Sequence, residues 1–188
     1  MLNLIVGLGN PTDKYKNTRH NLGYRVVDSL ASKDRKRFRP GKGDYLFCEI
    51  EKEDGTRLFL IKPLTYMNFS GEAVVEAIDH SNLGRESLLV ICDDASLPLG
   101  KIRIRESGTD GGHKGLKSVI GHLGSIEFAR LRLGIGAPPP GTDLEEFVLR
   151  QFDGEEKEMV EEMIEKACRA VENVLIKGIE DSMNQFNA

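Results

Sequence analysis

The spacing of apolar residues along this chain changes period repeatedly, and each change marks an element. Leu2-Asn3-Leu4-Ile5-Val6 is a short buried strand that stops at Gly7, Gly9, Asn10 and Pro11. Leu22, Val26, Val27 and Leu30 then recur at helical spacing, which predicts a core-facing helix to about Ser32, opened by Thr18-Arg19-His20-Asn21. Tyr45–Ile50 and Arg57–Ile61 flank Asp54-Gly55 and read as a hairpin. Ala73, Val74, Ala77 and Ile78 mark a second helix. Ser87–Cys92 is nearly all apolar, as expected of a strand covered on both faces, and it runs into Asp93-Asp94. Lys101-Ile102-Arg103-Ile104-Arg105 alternates, placing three cations on one face of a strand. A helix through Leu116, Val119, Ile120 and Leu123 follows the glycine-rich stretch Ser107–Gly115. Ala129–Gly136 is a last strand, with Arg130 and Arg132 on one face. From Asp153, with Glu156 completing a capping box, an apolar stripe runs to near Gly178. Strands alternating with helices point to an α/β fold.

Length and composition narrow the class. A chain of 188 residues would permit two small domains, but no linker or internal repeat divides it, so residues 1–188 are read as one domain. With 39% hydrophobic and 30% charged residues and no low-complexity tract, the composition is that of a globular protein and excludes disorder. The apolar run at the N-terminus is broken too early for a signal peptide or a membrane span, so a cytoplasmic location is expected. Three isolated cysteines, Cys48, Cys92 and Cys168, fit buried reduced thiols. None of the four histidines pairs with a cysteine or histidine at zinc-ligand spacing, so neither a structural metal nor a cofactor is expected. A net charge of −4 means that any surface for nucleic acid must be local. Two stretches qualify: the alternating cationic strand, and Lys33–Lys42, which reads as a solvated basic loop.

Candidate chemistry gathers where strands end and helices begin, the place where open α/β sheets build sites. Asn10 ends the first strand and His20 opens the first helix, where the positive end of the helix dipole favours a neutral imidazole ready to accept a proton. A helix-capping histidine on the surface is the plainer reading of His20 alone. Asn68 stands at a second strand-to-helix junction, where an N-cap would explain it. Asp93 ends the central strand, where a solvated turn would explain it. Gly7-Leu8-Gly9 fails as a dinucleotide fingerprint, because Thr12 replaces the third glycine. The chain has neither a serine-hydrolase elbow nor a phosphate-binding loop of the NTPase type. Together Asn10, His20, Asn68 and Asp93 suit base-activated attack of water on an acyl carbon.

With these residues in place the chain closely resembles bacterial peptidyl-tRNA hydrolase over nearly its whole length. The resemblance is carried by Val6–Pro11 with Tyr15 and Thr18–Asn21, by Pro63–Gly71, and by Asp93 with Leu97-Pro98 and Gly100. Gly111-Gly112-His113, Gly115-Leu116-Lys117 and Arg130–Gly136 complete it. It implies a single domain with a twisted mixed β-sheet flanked by helices. It also implies hydrolysis of the ester joining a peptide to the terminal adenosine of tRNA, and a monomer with peptidyl-tRNA as partner and no membrane association. By the same resemblance His20 is the general base and Asp93 holds its ring. Asn10 and Asn68 bind the peptide and the terminal nucleotide, Tyr15 and Met67 line the pocket, and His113 belongs to the site. Arg103 or Arg105 with Arg132 clamp the 5′-phosphate. The chain departs from the family pattern at Lys114, where the family usually has Asn, so that a substrate contact to a phosphate or to the 3′ end of the tRNA is expected of Lys114 instead, and at Ser96, where the family often has an acid. The substituted Lys114 keeps open a non-hydrolytic RNA-binding relative of the same fold. A nucleoside- or peptide-processing enzyme of similar fold lacks the expected phosphate or metal ligands.

Overall fold

In the computed structural model, which describes residues 1–187, the first apolar run forms β1 (Leu4–Gly7) at the centre of a seven-stranded sheet. The hairpin forms β3 (Tyr45–Glu51) and β4 (Arg57–Pro63), and the continuous apolar run forms β5 (Leu88–Asp94). β6 (Ile102–Arg105) and β7 (Ala129–Gly134) complete one side of the sheet. On the other side Arg39–Pro40 adds a two-residue edge strand, β2. The order is β2-β3-β4-β1-β5-β7-β6. β4, β1, β5 and β7 run parallel, whereas β3 and β6 run antiparallel to their neighbours, so the sheet is mixed.

The segment 33–42 differs from the expected loop at its end. Arg39 pairs with Phe47 in the ladder, its guanidinium lies 4.5 Å from the Phe47 ring, and Phe38 packs against the core. A local basic composition did not register these apolar contacts.

Helices cover both faces. α1 (Leu22–Lys33), α5 (Lys157–Lys177) and α6 (Ile179–Phe186) bury their apolar stripes against Ile5, Ile91 and Leu131. α2 (Ser70–Ser81) and α3 (Lys114–Leu123) close the other face over Val6, Val90 and Cys92. The capping box at Asp153 and Glu156 forms as its spacing predicts. No helix among the described residues is long and apolar enough to cross a membrane.

The exposed edge of β6 is closed by a side chain. The Asn187 carboxamide accepts the Ile104 N–H at 2.7 Å and donates to the Ile104 carbonyl at 3.1 Å, taking the part of one residue of a further strand.

The chain leaves β1 first toward β4 and later toward β5, which opens a crevice at the carboxyl ends of these strands. Two glycines set its floor. A Cβ on Gly7 would lie 2.2 Å from the Gly23 carbonyl oxygen, and one on Gly23 would lie 2.4 Å from both the Ile91 oxygen and the Leu8 nitrogen. α1 therefore begins pressed directly onto β1 and β5. Gly23→Ala is expected to cost about 3 kcal/mol by overpacking against backbone that cannot yield, read as a lower urea midpoint.

Candidate active site

The crevice is a cleft of about 1120 Å³ with Asn10, His20 and Asp93 on its floor. One wall comes from the turn after β4, at Tyr66, Met67 and Asn68, and another from the first turns of α3. The short helix α4 (Leu144–Val148) forms the facing wall with Leu144, Val148 and Leu149.

His20 does not cap a surface helix. It lies in a one-turn 3-10 segment, Arg19–Asn21, immediately before α1, and is only 7% exposed. Arg19 holds that segment down. Its guanidinium pairs with the Glu156 carboxylate at 2.8 and 2.9 Å and lies 4.6 and 4.7 Å from the Phe147 and Phe152 rings. Turn, α4 and the cap of α5 are thereby drawn together around one buried cation.

Asp93 is a buried strand residue, 3% exposed, rather than a solvated turn residue. Its Oδ1 lies 2.9 Å from Nδ1 of His20 and 3.0 Å from Nε2 of His113. The proton positions follow from His113, the N-cap of α3. The Leu116 N–H donates to His113 Nδ1 at 3.2 Å, so the proton of a neutral His113 ring sits on Nε2 and is donated to Asp93. An ionised Asp93 likewise takes the Nδ1 proton of His20. His113 then has both nitrogens engaged, while His20 keeps Nε2 as an acceptor for the cleft it lines. Burial opposes ionisation of Asp93, but the two imidazoles and their hydrogen bonds outweigh it and hold the acid well below the usual carboxylate range. Donor atoms of His20, Asp93 and His113 come within 4.8 Å of one another. With the Leu116 bond made, Nε2 of a neutral His113 ring offers Asp93 a proton and not a lone pair.

Asn10 is fixed by a residue that sequence reasoning quoted only as part of a motif. The Asn21 carboxamide accepts the Asn10 N–H at 2.9 Å and donates to the Asn10 carbonyl at 3.0 Å. The Asn10 side-chain oxygen in turn accepts the Met67 N–H at 2.8 Å, which leaves its amide nitrogen as the donor for the cleft. Asn68 caps no helix, because α2 is preceded by Phe69. It stands exposed on the 3-10 turn Met67–Phe69 at the cleft wall. Met67 is buried and lines the cleft, whereas Tyr15, on the turn Asp13–Tyr15, is not among the lining residues.

The four arginines of β6 and β7 face the same side but play different parts. Arg130 is fully buried and donates to the carbonyls of Gly108, Thr109, Ile126 and Phe128. Arg132 donates to Asp94 at 3.2 Å and to the Thr109 carbonyl at 2.7 Å. Together they pin the glycine-rich segment that delivers His113, and nothing in the alternation of β7 distinguishes Arg130 as its anchor. Arg103 and Arg105 stand exposed opposite Arg132 and Arg130. Lys114, the first residue of α3, pairs with Glu145 of α4 at 2.6 Å.

A family model described as peptidyl-tRNA hydrolase matches residues 4–188. The peptidyl-tRNA hydrolase of Chlorobaculum parvum is 46% identical over 188 residues, covering 99% of this chain and 98% of that relative. That of Halalkalibacterium halodurans is 44% identical over 186 residues, covering 99% and 100%. The crystal structure of peptidyl-tRNA hydrolase from Acinetobacter baumannii matches with a TM-score of 0.92 at 33% identity, over 100% of this chain and 95% of that one. Arabidopsis thaliana 5′-methylthioadenosine nucleosidase, at a TM-score of 0.53 and 8% identity, shares the fold alone.

The depressed pKa of Asp93 bears on stability. Its folded pKa is depressed, so the unfolded chain binds the proton first and stability rises with pH through this range. The contribution is present above about pH 4 and drains as pH falls below it. Chemical denaturation across acid pH should show a shallower loss for Asp93→Asn than for the unmodified protein; equal slopes would count against an ionised Asp93.

Proposed function

Because the chain belongs to the peptidyl-tRNA hydrolase family, hydrolysing the ester between a peptide and tRNA, we propose that His20 is the base that activates water for this reaction. The observation that carries the assignment is the shared Asp93 oxygen: it engages His20 through Nδ1 and leaves Nε2 for the cleft. Water placed at Nε2 gives up a proton as its oxygen attacks the ester carbon. Asp93 stabilises the imidazolium that results. The tetrahedral intermediate then expels the terminal ribose oxygen, which takes the proton back from Nε2, and peptide acid and tRNA leave. The Asn10 amide is the donor for the developing oxyanion or the adjoining peptide carbonyl, and exposed Asn68 binds substrate from the facing wall. Tyr15 is not among the residues lining this cleft, and its part in the reading is a contact to substrate that extends beyond it.

Arg103 and Arg105 are the residues offered to the tRNA 5′-phosphate, with Arg132 behind them already shared with Asp94. The non-hydrolytic RNA-binding alternative is not supported, since full-length relatives at this identity are named hydrolases. The cleft is completed within one chain, which supports action as a single-domain monomer. Its substrate is a product of translation, which supports a cytoplasmic site of action.

His20→Ala should lower turnover of an N-blocked aminoacyl-tRNA by about 10²- to 10⁴-fold with the tRNA still bound. Retained turnover would remove His20 from the role of base. Arg105→Ala should raise KM for the tRNA substrate and reduce the slope of log KM against log salt by about one, while sparing a small N-blocked ester. Equal loss on both substrates would end the phosphate assignment.

A further inference from the structure

Lys114 is a poor choice for the helix that it opens. A cation on the first residue of α3 faces the positive end of the helix dipole, so local stability does not account for it. Its side chain instead reaches out of α3 to Glu145, on the second residue of α4, where an acid is favourable. Both residues line the cleft, and the two side chains are 52% and 68% exposed. The pair therefore bridges two walls of the site. Exposed ion pairs hold by no more than about a fivefold preference, which is too little to fix α4 in place. It is enough to decide where the Lys114 ammonium rests until another anion arrives.

Resting on the hydrolase reading above, we propose that Lys114 is a binding residue for a phosphodiester near the 3′ end of the tRNA, and that Glu145 occupies it in the free enzyme. Arg132, whose Nη1 would lie 2.8 Å from a Cβ on Gly111, lines the same cleft as Lys114. Two cationic groups are thus offered to the cleft beside the glycine-rich segment. A tRNA already held at its 5′-phosphate presents its 3′ strand at high effective concentration, so its phosphate exchanges with the Glu145 carboxylate without leaving the ammonium unpaired. The released carboxylate is already mostly in water.

Competition has a signature that a structural bridge does not share. The probe is an RNA hairpin ending in single-stranded CCA, titrated against the full chain. Glu145→Gln should tighten binding by about two- to fivefold. Lys114→Gln should weaken it and reduce the salt slope by about 0.7. The gain from Glu145→Gln should vanish in the Lys114→Gln background and persist with Lys114→Arg. Weaker binding in Glu145→Gln, a gain that survives Lys114→Gln, or no effect of Lys114→Gln would each overturn the proposal. Hydrolysis is scored separately on N-blocked aminoacyl-tRNA. Absent cleavage with the binding pattern intact unseats the hydrolase reading alone; cleavage without the pattern unseats Lys114 alone.

Discussion

One carboxylate oxygen organises the site. Asp93 Oδ1 receives two imidazole protons inside the protein, and that double acceptance assigns a tautomer to each ring. A neutral acid there would supply a proton of its own and confuse both assignments. Its ionisation is therefore the condition on which the free nitrogen of His20 depends. β5 places the carboxylate at the end of a strand covered on both faces, where the backbone ladder rather than a loop fixes its position.

Holding two histidines to one oxygen requires that the segments carrying them be rigid, and buried arginines provide the rigidity. Arg19 gathers the His20 turn, α4 and the start of α5 through aromatic faces and the Glu156 carboxylate. Arg130 and Arg132 gather the glycine-rich segment through its carbonyls. A guanidinium suits this work because its five donors form a fixed fork and it stays charged when buried. Removing such a side chain would leave several carbonyls without donors, a cost beyond the loss of one contact.

The same economy extends to amides. Asn21 locks the Asn10 backbone at two points, and Asn10 then spends its oxygen on Met67. Each amide commits one end to structure so that the next has one end left for chemistry. The cleft walls, by contrast, meet through exposed groups such as Lys114 and Glu145, where water weakens the pairing. Rigid floor and exchangeable walls are what a site needs to position a reacting ester while admitting a large polynucleotide.

Much of this was legible along the chain. Apolar period located the central strands, the hairpin and the long C-terminal helix, because burial on one or two faces imposes its own spacing. The motifs at strand ends pointed to Asn10, His20, Asn68 and Asp93. Other features were not local properties. Arg130 and Arg132 occupy equivalent alternating positions, yet the segment folded over them makes one a fully buried anchor and leaves the other at the cleft. Arg39 reads as part of a basic loop until Phe47 is placed beside it. The sequence by itself determined which residues could carry the chemistry and which stretches would be strands or helices, since both follow from side-chain type and near-neighbour spacing. Tertiary structure alone decided which nitrogen of His20 is free, because that depends on a carboxylate 73 positions away and on the histidine that shares it.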